Sequence, residues 1–396
     1  MKKYNFDKII DRKNTDSIKY DATEKFWGVK DAMPLWVADM DFETPDFIID
    51  ALKKRLEHPV LGYSFKSDEH FNSIASWMKR RHGFEVNPKE ISGSPGVVAG
   101  LSMAIQEFTN PGDKIIIQPP VYFPFARSIK NAGRQVVNNP LKVANGKMQM
   151  DFEDLEKKID KDTKMILLCN PHNPGGRAWT KEELGRIDRL AQKHNLLVVS
   201  DEIHADILLN GNKYTPYASV SEYAAQNSIT FGAPSKTFNI PGLATSFMIA
   251  KNPEIKERYD RILNRYHLAK GNLPGNVALT AAYTHGDEWL DELLEYLKEN
   301  VDFTEEFFKK ELPSIKVYRP EASFLVWLDA RGLGLDDEQL KDFFFNEAGV
   351  LLNPGYTFGP GGEGFMRMNI ALPRAQLEKA LKKIKEAANR LAVQSR

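Results

Sequence analysis

Residues 165–176 read Met-Ile-Leu-Leu-Cys-Asn-Pro-His-Asn-Pro-Gly-Gly, an apolar run that ends abruptly in polar and turn-forming residues. An amphipathic stretch follows at 181–194, and a second apolar run occupies 196–200. Near-continuous apolar runs are typical of strands buried on both faces of a parallel sheet, with helices as the crossovers between them. This stretch therefore predicts a strand–helix–strand unit of an α/β fold.

The same unit recurs on both sides of this stretch. The strand candidates are 114–118, 165–169, 196–200, 228–231 and 244–250. From Asp287 the pattern changes to a long amphipathic helix, two short strands, a helix around 338–347, a glycine-rich loop at 354–364, a strand and a final helix. We therefore predict a large domain at 46–286 with a mostly parallel sheet between helices. A smaller α+β domain is predicted from the N-terminal segment, 1–45, and the C-terminal segment, 287–396.

Composition and charge exclude several classes of protein. The 396 residues contain 54 Lys and Arg against 54 Asp and Glu, so no cationic surplus exists for binding nucleic acid. The single cysteine, Cys169, allows no intrachain disulfide, and no apolar run approaches the roughly 18 residues of a membrane span. We therefore expect a folded, cytoplasmic protein that is no partner of nucleic acid or membranes.

Polar side chains follow each predicted strand, where parallel sheets bind ligands. They are Tyr122, Asn173, Asp201, His204 and Lys236. Pyridoxal 5′-phosphate needs a lysine amine for its aldehyde, a carboxylate for its ring nitrogen and an aromatic face for its ring, so this set matches that cofactor. Its phosphate needs backbone amides at a helix start, and the loop at 93–98, before a helical pattern at 99–108, offers them.

Each of these residues also has a simpler interpretation. Asp201 alone could cap a following helix, Tyr122 could pack in the core, and Asn173 could belong to a turn. Cys169 is expected to be a buried structural thiol. The spacing of His194, Asp201 and His204 fits no standard pattern of metal ligands, so no metal site is predicted.

Eight motifs in order make the whole chain resemble the class I and II aminotransferase superfamily of pyridoxal phosphate enzymes, and within it the cystathionine β-lyase (C-S lyase) branch. The motifs occupy 34–42, 62–64, 95–98, 120–125, 169–177, 200–206, 233–242 and 367–371. The second reads Gly-Tyr-Ser, the seventh Ala-Pro-Ser-Lys-Thr-Phe-Asn-Ile-Pro-Gly, and the last Arg-Met-Asn-Ile-Ala.

The resemblance implies a role for each matching residue. Lys236, Asp201 and Tyr122 would be catalytic: Lys236 forms the Schiff base, Asp201 pairs with the ring nitrogen, and Tyr122 stacks on the ring. The other implied cofactor ligands are Gly96, Val97, Val98, Asn173, His204, Ser235 and, from a neighbouring subunit, Tyr63. Arg367 would bind the substrate carboxylate, with Val37 and Ala38 beside the substrate. One position departs from the superfamily pattern: Ala244 stands where many members carry a basic phosphate ligand.

The resemblance implies α,β-elimination of cystathionine, cysteine or related S-conjugates to pyruvate, ammonia and a thiol by a homodimer. A small sulfur-containing amino acid would then be the substrate. The residues themselves leave two alternatives open. One is an aminotransferase of an L-amino acid, because transamination uses the same groups. The other is a regulatory protein that acts through partner binding on the same fold.

Overall fold

The computed structural model describes residues 3–144 and 146–394 of the chain. The N-terminal segment contains α1 (Ile18–Asp21), α2 (Thr23–Trp27) and β1 (Met33–Pro34). The next part of the chain contains α3 (Asp46–Leu56), α4 (Asp68–His82), β2 (Ile91–Ser94), α5 (Val97–Phe108), β3 (Lys114–Ile117), α6 (Pro124–Asn131), β4 (Gln135–Asn138), β5 (Lys142–Ala144), β6 (Lys147–Gln149), α7 (Phe152–Lys158), β7 (Thr163–Cys169) and α8 (Lys181–His194).

The remaining elements complete the sheet and the C-terminal part. They are β8 (Leu197–Asp201), α9 (Glu222–Gln226), β9 (Ser228–Gly232), α10 (Pro234–Thr237), β10 (Ser246–Ile249), α11 (Pro253–Arg265), α12 (Leu273–His285), α13 (Asp287–Glu311), β11 (Lys316–Tyr318), β12 (Leu325–Asp329), α14 (Asp337–Asp342), β13 (Val350–Leu351), β14 (Asn353–Pro354), β15 (Phe365–Asn369) and α15 (Arg374–Gln394). No helix in these described ranges is long and apolar enough to cross a membrane.

A seven-stranded sheet lies at the centre, in the order β2-β10-β9-β8-β7-β3-β4. Strand β10 runs antiparallel to both of its neighbours, β2 and β9, and the other strand pairs of this sheet are parallel. The predicted α/β fold with a mostly parallel sheet is therefore confirmed. Side chains alternate between its two faces: Ile115 and Ile117 pack in one apolar cluster and Ile116 in the other, so both faces are buried.

The N-terminal and C-terminal segments are joined, as the sequence predicts. Met33 and Pro34 of β1 pair in parallel with Val350 and Leu351 of β13. A four-stranded antiparallel sheet, β11-β12-β15-β14, lies in the C-terminal part and carries Arg367 on its strand β15. The domain boundaries at 45 and 286 stay a prediction.

Two sequence expectations differ from the structure. The pattern over 338–347 reads as one helix, but α14 ends at Asp342 and a π-helical turn spans Phe343–Glu347. Its first three residues are consecutive phenylalanines, all buried, and widening the turn lets one short segment bury all three.

Helix α5 begins at Val97, two residues before the predicted start, so Val97 and Val98 belong to its first turn.

Candidate active site

Lys236 lies on the short helix α10, directly after strand β9, and faces a cavity of about 1140 Å³. Its Nζ donates a hydrogen bond to the carbonyl oxygen of Ala38 at 2.5 Å. Burial and the positive charge of Arg367 lower the pKa of Lys236 to about 8, against the opposing charges of Asp39 and Asp201. A substantial fraction of the amino group is therefore neutral at mildly alkaline pH.

Asp201 is the last residue of β8, between β7 and β9, and is 4% exposed. The N–H of Ile203 donates to its Oδ1 at 3.2 Å, and no described lysine, arginine or histidine forms an ion pair with it within 4 Å. Burial raises the pKa of Asp201 to about 7. The residues after it form turns, so the interpretation as a helix cap is wrong.

Arg367 connects the small sheet to the strand ends of the large one. Its Nη1 donates to Oδ1 of Asn173 at 2.9 Å, and its Nη2 donates to Oδ1 of Asn353 at 2.6 Å and to the carbonyl of Trp36 at 3.0 Å. Its Nε is buried without a hydrogen-bond partner among the described residues. Burial lowers the pKa of Arg367 to about 10, so it remains charged at neutral pH.

Tyr122 and Asn173 are neighbours through the backbone, because the N–H of Tyr122 donates to the carbonyl of Asn173 at 3.1 Å. The Tyr122 ring packs against Phe125 but stays half-buried. Burial and then the charge of Asp201 raise the pKa of Tyr122. These interactions place the phenol, the amide and the carboxylate in one group with Arg367.

His204 is 2% exposed and its Nδ1 has no hydrogen-bond partner among the described residues. Burial, followed by the charges of Lys236 and Arg367, lowers the pKa of His204 to about 3, so its imidazole is neutral. A neutral imidazole carries one N–H donor and one acceptor, which suits it to bind a polar ligand.

The start of helix α5 offers unpaired backbone amides, because the first N–H groups of any helix lack partners inside it. Gly96, just before the helix, has φ +141°, and an added Cβ would meet nothing within 4 Å. Its own N–H donates to Oγ of Ser246 at 3.0 Å, so the amides left for a ligand are those of Val97 and Val98. Ser235 lies in the first turn of α10, beside Lys236.

Three further predicted residues lie at different places. Val37 and Ala38 line the same cavity as Lys236. Tyr63 does not join the group: its side chain is 98% exposed, with the amino group of Lys270 4.6 Å from the ring centre. Contacts and charges link six predicted residues with the segment at 37–38, and Tyr63 lies apart from them: Lys236, Asp201, His204, Tyr122, Asn173 and Arg367.

Comparison with known proteins agrees with this geometry. Residues 30–384 match the aminotransferase class I and II family. The chain belongs to this family. A relative, cystathionine beta-lyase PatB of Bacillus subtilis, is 46% identical over 384 residues, which cover 97% of this chain and 99% of the relative.

Solved structures of family members also superpose on the chain. Cystalysin of Treponema denticola, which contains pyridoxal 5′-phosphate, aligns with a TM-score of 0.94 at 38% identity, covering 98% of this chain and 99% of that one. The PLP-bound C-S lyase of Staphylococcus hominis aligns with a TM-score of 0.91 at 34% identity, covering 97% and 98%. The predicted membership of the aminotransferase superfamily, in the C-S lyase branch, is therefore confirmed.

Sequence reasoning missed several residues that support this aminotransferase-family site. Asn353 binds Arg367, and Ser246 binds the Gly96 amide. Asp206 accepts hydrogen bonds from Trp77 and His82 and from Thr237, the residue after Lys236. Each acts through a contact between residues far apart in sequence. Asp206 was within reach of sequence reasoning, because it ends the motif at 200–206.

Proposed function

We propose that this protein is a pyridoxal phosphate-dependent carbon–sulfur β-lyase. It cleaves cystathionine, cysteine or a related S-conjugate to pyruvate, ammonia and a thiol. One observation carries the proposal: the low-pKa amine of Lys236 and the unpaired buried carboxylate of Asp201 converge at the strand ends of a chain whose full-length relatives are named cystathionine beta-lyases.

The residues present fit pyridoxal 5′-phosphate. A buried carboxylate without a cation is costly, and a protonated ring nitrogen would compensate Asp201. The free Nδ1 of His204 and the amide of Asn173 are polar groups that the cofactor's phenolic oxygen could satisfy. The open space before Gly96 and the amides of Val97 and Val98 form a site for its phosphate. Lys236 is the amine for its aldehyde.

Four residues of this chain would take part in the reaction. When bound, the cofactor supplies an electron sink for the negative charge that forms on the substrate Cα. Arg367 binds the substrate carboxylate through its buried guanidinium, a task that suits the fork of an arginine. Asp201 holds a proton on the ring nitrogen, and Nζ of Lys236 removes the proton from Cα. Tyr122 would lie against the ring.

Loss of the Cα proton leaves an electron pair that forms the Cα–Cβ double bond while the Cβ–S bond breaks. The sulfur leaves as a thiolate and is protonated to the thiol. One water molecule then hydrolyses the remaining three-carbon fragment to pyruvate and ammonia. No oxidant, reductant or second substrate is needed, so the reaction proceeds without a 2-oxo acid.

We further propose that the protein works as a homodimer. Tyr63 is almost fully exposed, and its neighbours Val60, Leu61 and Phe65 are 61%, 63% and 81% exposed. Such a run of exposed apolar side chains is unfavourable in water and suits burial against a second copy of the chain. Tyr63 would then contribute to the partner's phosphate site.

Borohydride reduction tests the cofactor assignment. We expect the purified protein to absorb in the visible region with pyridoxal 5′-phosphate, and borohydride to bleach this absorbance and fix the cofactor to the peptide that contains Lys236. Lys66 is an internal control, because burial also lowers its pKa to about 8. Lys236→Ala should abolish the absorbance and the turnover. Reduced cofactor on Lys66, or no absorbance at all, contradicts the proposal.

A further inference from the structure

Residues 36–42 lie against the site and are held there by its side chains. The carbonyl of Trp36 accepts from Arg367, and that of Ala38 accepts from Nζ of Lys236 at 2.5 Å. Asn239, three residues after Lys236, donates through Nδ2 to the carbonyls of Met40 and Phe42, both at 2.9 Å. The position of this segment is therefore coupled to the position of the Lys236 amino group.

Two aspartates of this segment belong to a cluster of four charges, of which two are buried and two are partly exposed. Arg12 donates to Oδ2 of Asp39 and to Oδ1 of Asp41, each at 2.6 Å. Nζ of Lys19 lies 2.8 Å from Oδ2 of Asp41 and 3.6 Å from Oδ1 of Asp39. Lys19 is 1% exposed and Asp41 2%, so solvent screens these interactions little. The two cations hold both carboxylates in place, and the four charges of the cluster sum to zero.

The two aspartates have different neighbours. Asp39 directly follows Ala38, and its charge raises the pKa of Lys236, against burial and Arg367, which lower it. Asp41 is instead engaged by Arg12, Lys19 and the hydroxyl of Tyr20. The charged groups that shift the pKa of Lys236 are Asp39, Asp201 and Arg367, and Lys236 in turn acts on His204. The cavity that Lys236 faces is also lined by Arg12, Asp41, Glu43 and Asp46.

We propose that Asp39 is a positioning residue for the amino group of Lys236, and that Arg12 and Lys19 hold its carboxylate in place. The carboxylate stabilises the protonated amine beside the Ala38 carbonyl, and Arg12 limits this effect by compensating part of the negative charge. The consequence for catalysis rests on the proposed function, in which this amine takes the Cα proton.

Competitive acetylation measures the amine directly. The full-length protein, freed of cofactor, is treated with trace acetic anhydride at several pH values, and the acetylation rate of Lys236 is read by peptide mass spectrometry. Only the neutral amine reacts, so a lower pKa gives faster labelling. We expect Asp39→Asn to raise the rate at pH 7 at least ~3-fold. The matched control Asp41→Asn removes a charge from the same cluster and should stay within ~2-fold of wild type.

Arg12→Gln should change the labelling rate of Lys236 in the opposite direction from Asp39→Asn. It leaves the Asp39 charge less compensated, so the labelling of Lys236 should slow by at least ~2-fold. A merely structural role would loosen the segment and speed labelling in all three variants alike. Equal effects of Asp39→Asn and Asp41→Asn, no effect of Asp39→Asn, or faster labelling in Arg12→Gln overturns the proposal. If Asp39→Asn does not fold, Arg12→Gln decides the outcome alone.

The labelling experiment needs no cofactor and no turnover. A failure of the proposed lyase activity therefore leaves its result interpretable, and a failure of the labelling prediction leaves the lyase assignment standing.

Discussion

At the scale of single residues, the site places ionisable groups where burial opposes their charge. Asp201 has a raised pKa and Lys236 a lowered one, and both shifts are caused first by desolvation. Perturbed values of this kind are concentrated at functional sites, because a catalytic acid or base needs a pKa near the working pH. The burial that causes these shifts also lowers the free energy of unfolding when no bound cofactor compensates the charges.

Asp201→Asn should therefore stabilise the cofactor-free protein at alkaline pH. The pKa of Asp201 is about 7 in the folded protein and near 3.8 in the unfolded chain, so the folded protein holds this proton more tightly. The stability that this tighter binding gives is fully present below about pH 4 and is lost as the pH rises through 7. Asparagine removes this loss, and we expect a gain of roughly 1 to 4 kcal/mol at pH 8. Urea unfolding of both proteins between pH 4 and 8 measures it. A difference that does not grow with pH contradicts the assignment.

The site residues that the sequence could predict are those that follow a recognisable local pattern. Asp201 and Asn173 come at the end of apolar runs, so the strand itself points to them. Asp39 and Arg12 are 27 residues apart, and Lys236 and Ala38 are 198 apart. No local pattern records such pairs, because only the packing of the N-terminal segment on α10 brings them together.

At the scale of elements, the strongest predictions concern strands buried on both faces. Strands β3, β7, β8 and β9 lie within two residues of their predicted ends. Strand β2 was missed, since Ile-Ser-Gly-Ser contains one large apolar residue and is buried only because neighbouring elements cover it. This strand leads directly into the loop at Gly96, whose backbone conformation the sequence also did not reveal.

Gly96→Ala tests the role of this loop. A φ of +141° is accessible almost only to glycine, so alanine should force the loop away from its present path. We expect affinity for pyridoxal 5′-phosphate to fall at least ~10-fold, measured by absorbance titration. Gly112→Ala is the matched control: Gly112 also has positive φ, +90°, and open space for a Cβ, but it lies just before β3 begins, whereas the site lies where the strands end. Equal affinities in the two variants contradict the assignment of the phosphate site.

At the scale of the whole molecule, the small sheet supplies Arg367, strand β8 of the large sheet supplies Asp201, and helix α10 after β9 supplies Lys236. The site therefore exists only where both parts meet. Tyr63 is a predicted site residue that lies outside this arrangement. A second copy of the chain is the proposed source of that contact. The cytoplasmic location stays a prediction from the sequence.

Mixing of inactive chains tests the shared site. Lys236→Ala and Tyr63→Ala chains, refolded together in equal amounts, should recover about a quarter of wild-type activity at limiting cofactor, because half of the dimers contain one intact site. Lys236→Ala mixed with Asp201→Asn is the control. Both changes affect residues of a chain's own site, so no activity should return. Recovery in the control, or none in the first mixture, contradicts a Tyr63 contribution across the dimer.

The lyase assignment itself is tested most directly by product analysis without an acceptor. The purified protein with pyridoxal 5′-phosphate is incubated with L-cystathionine and no 2-oxo acid, and pyruvate, ammonia and free thiol are measured over time. The account predicts that all three form in equal amounts, and that Lys236→Ala forms none of them. Turnover that begins only after a 2-oxo acid is added would contradict it and identify an aminotransferase.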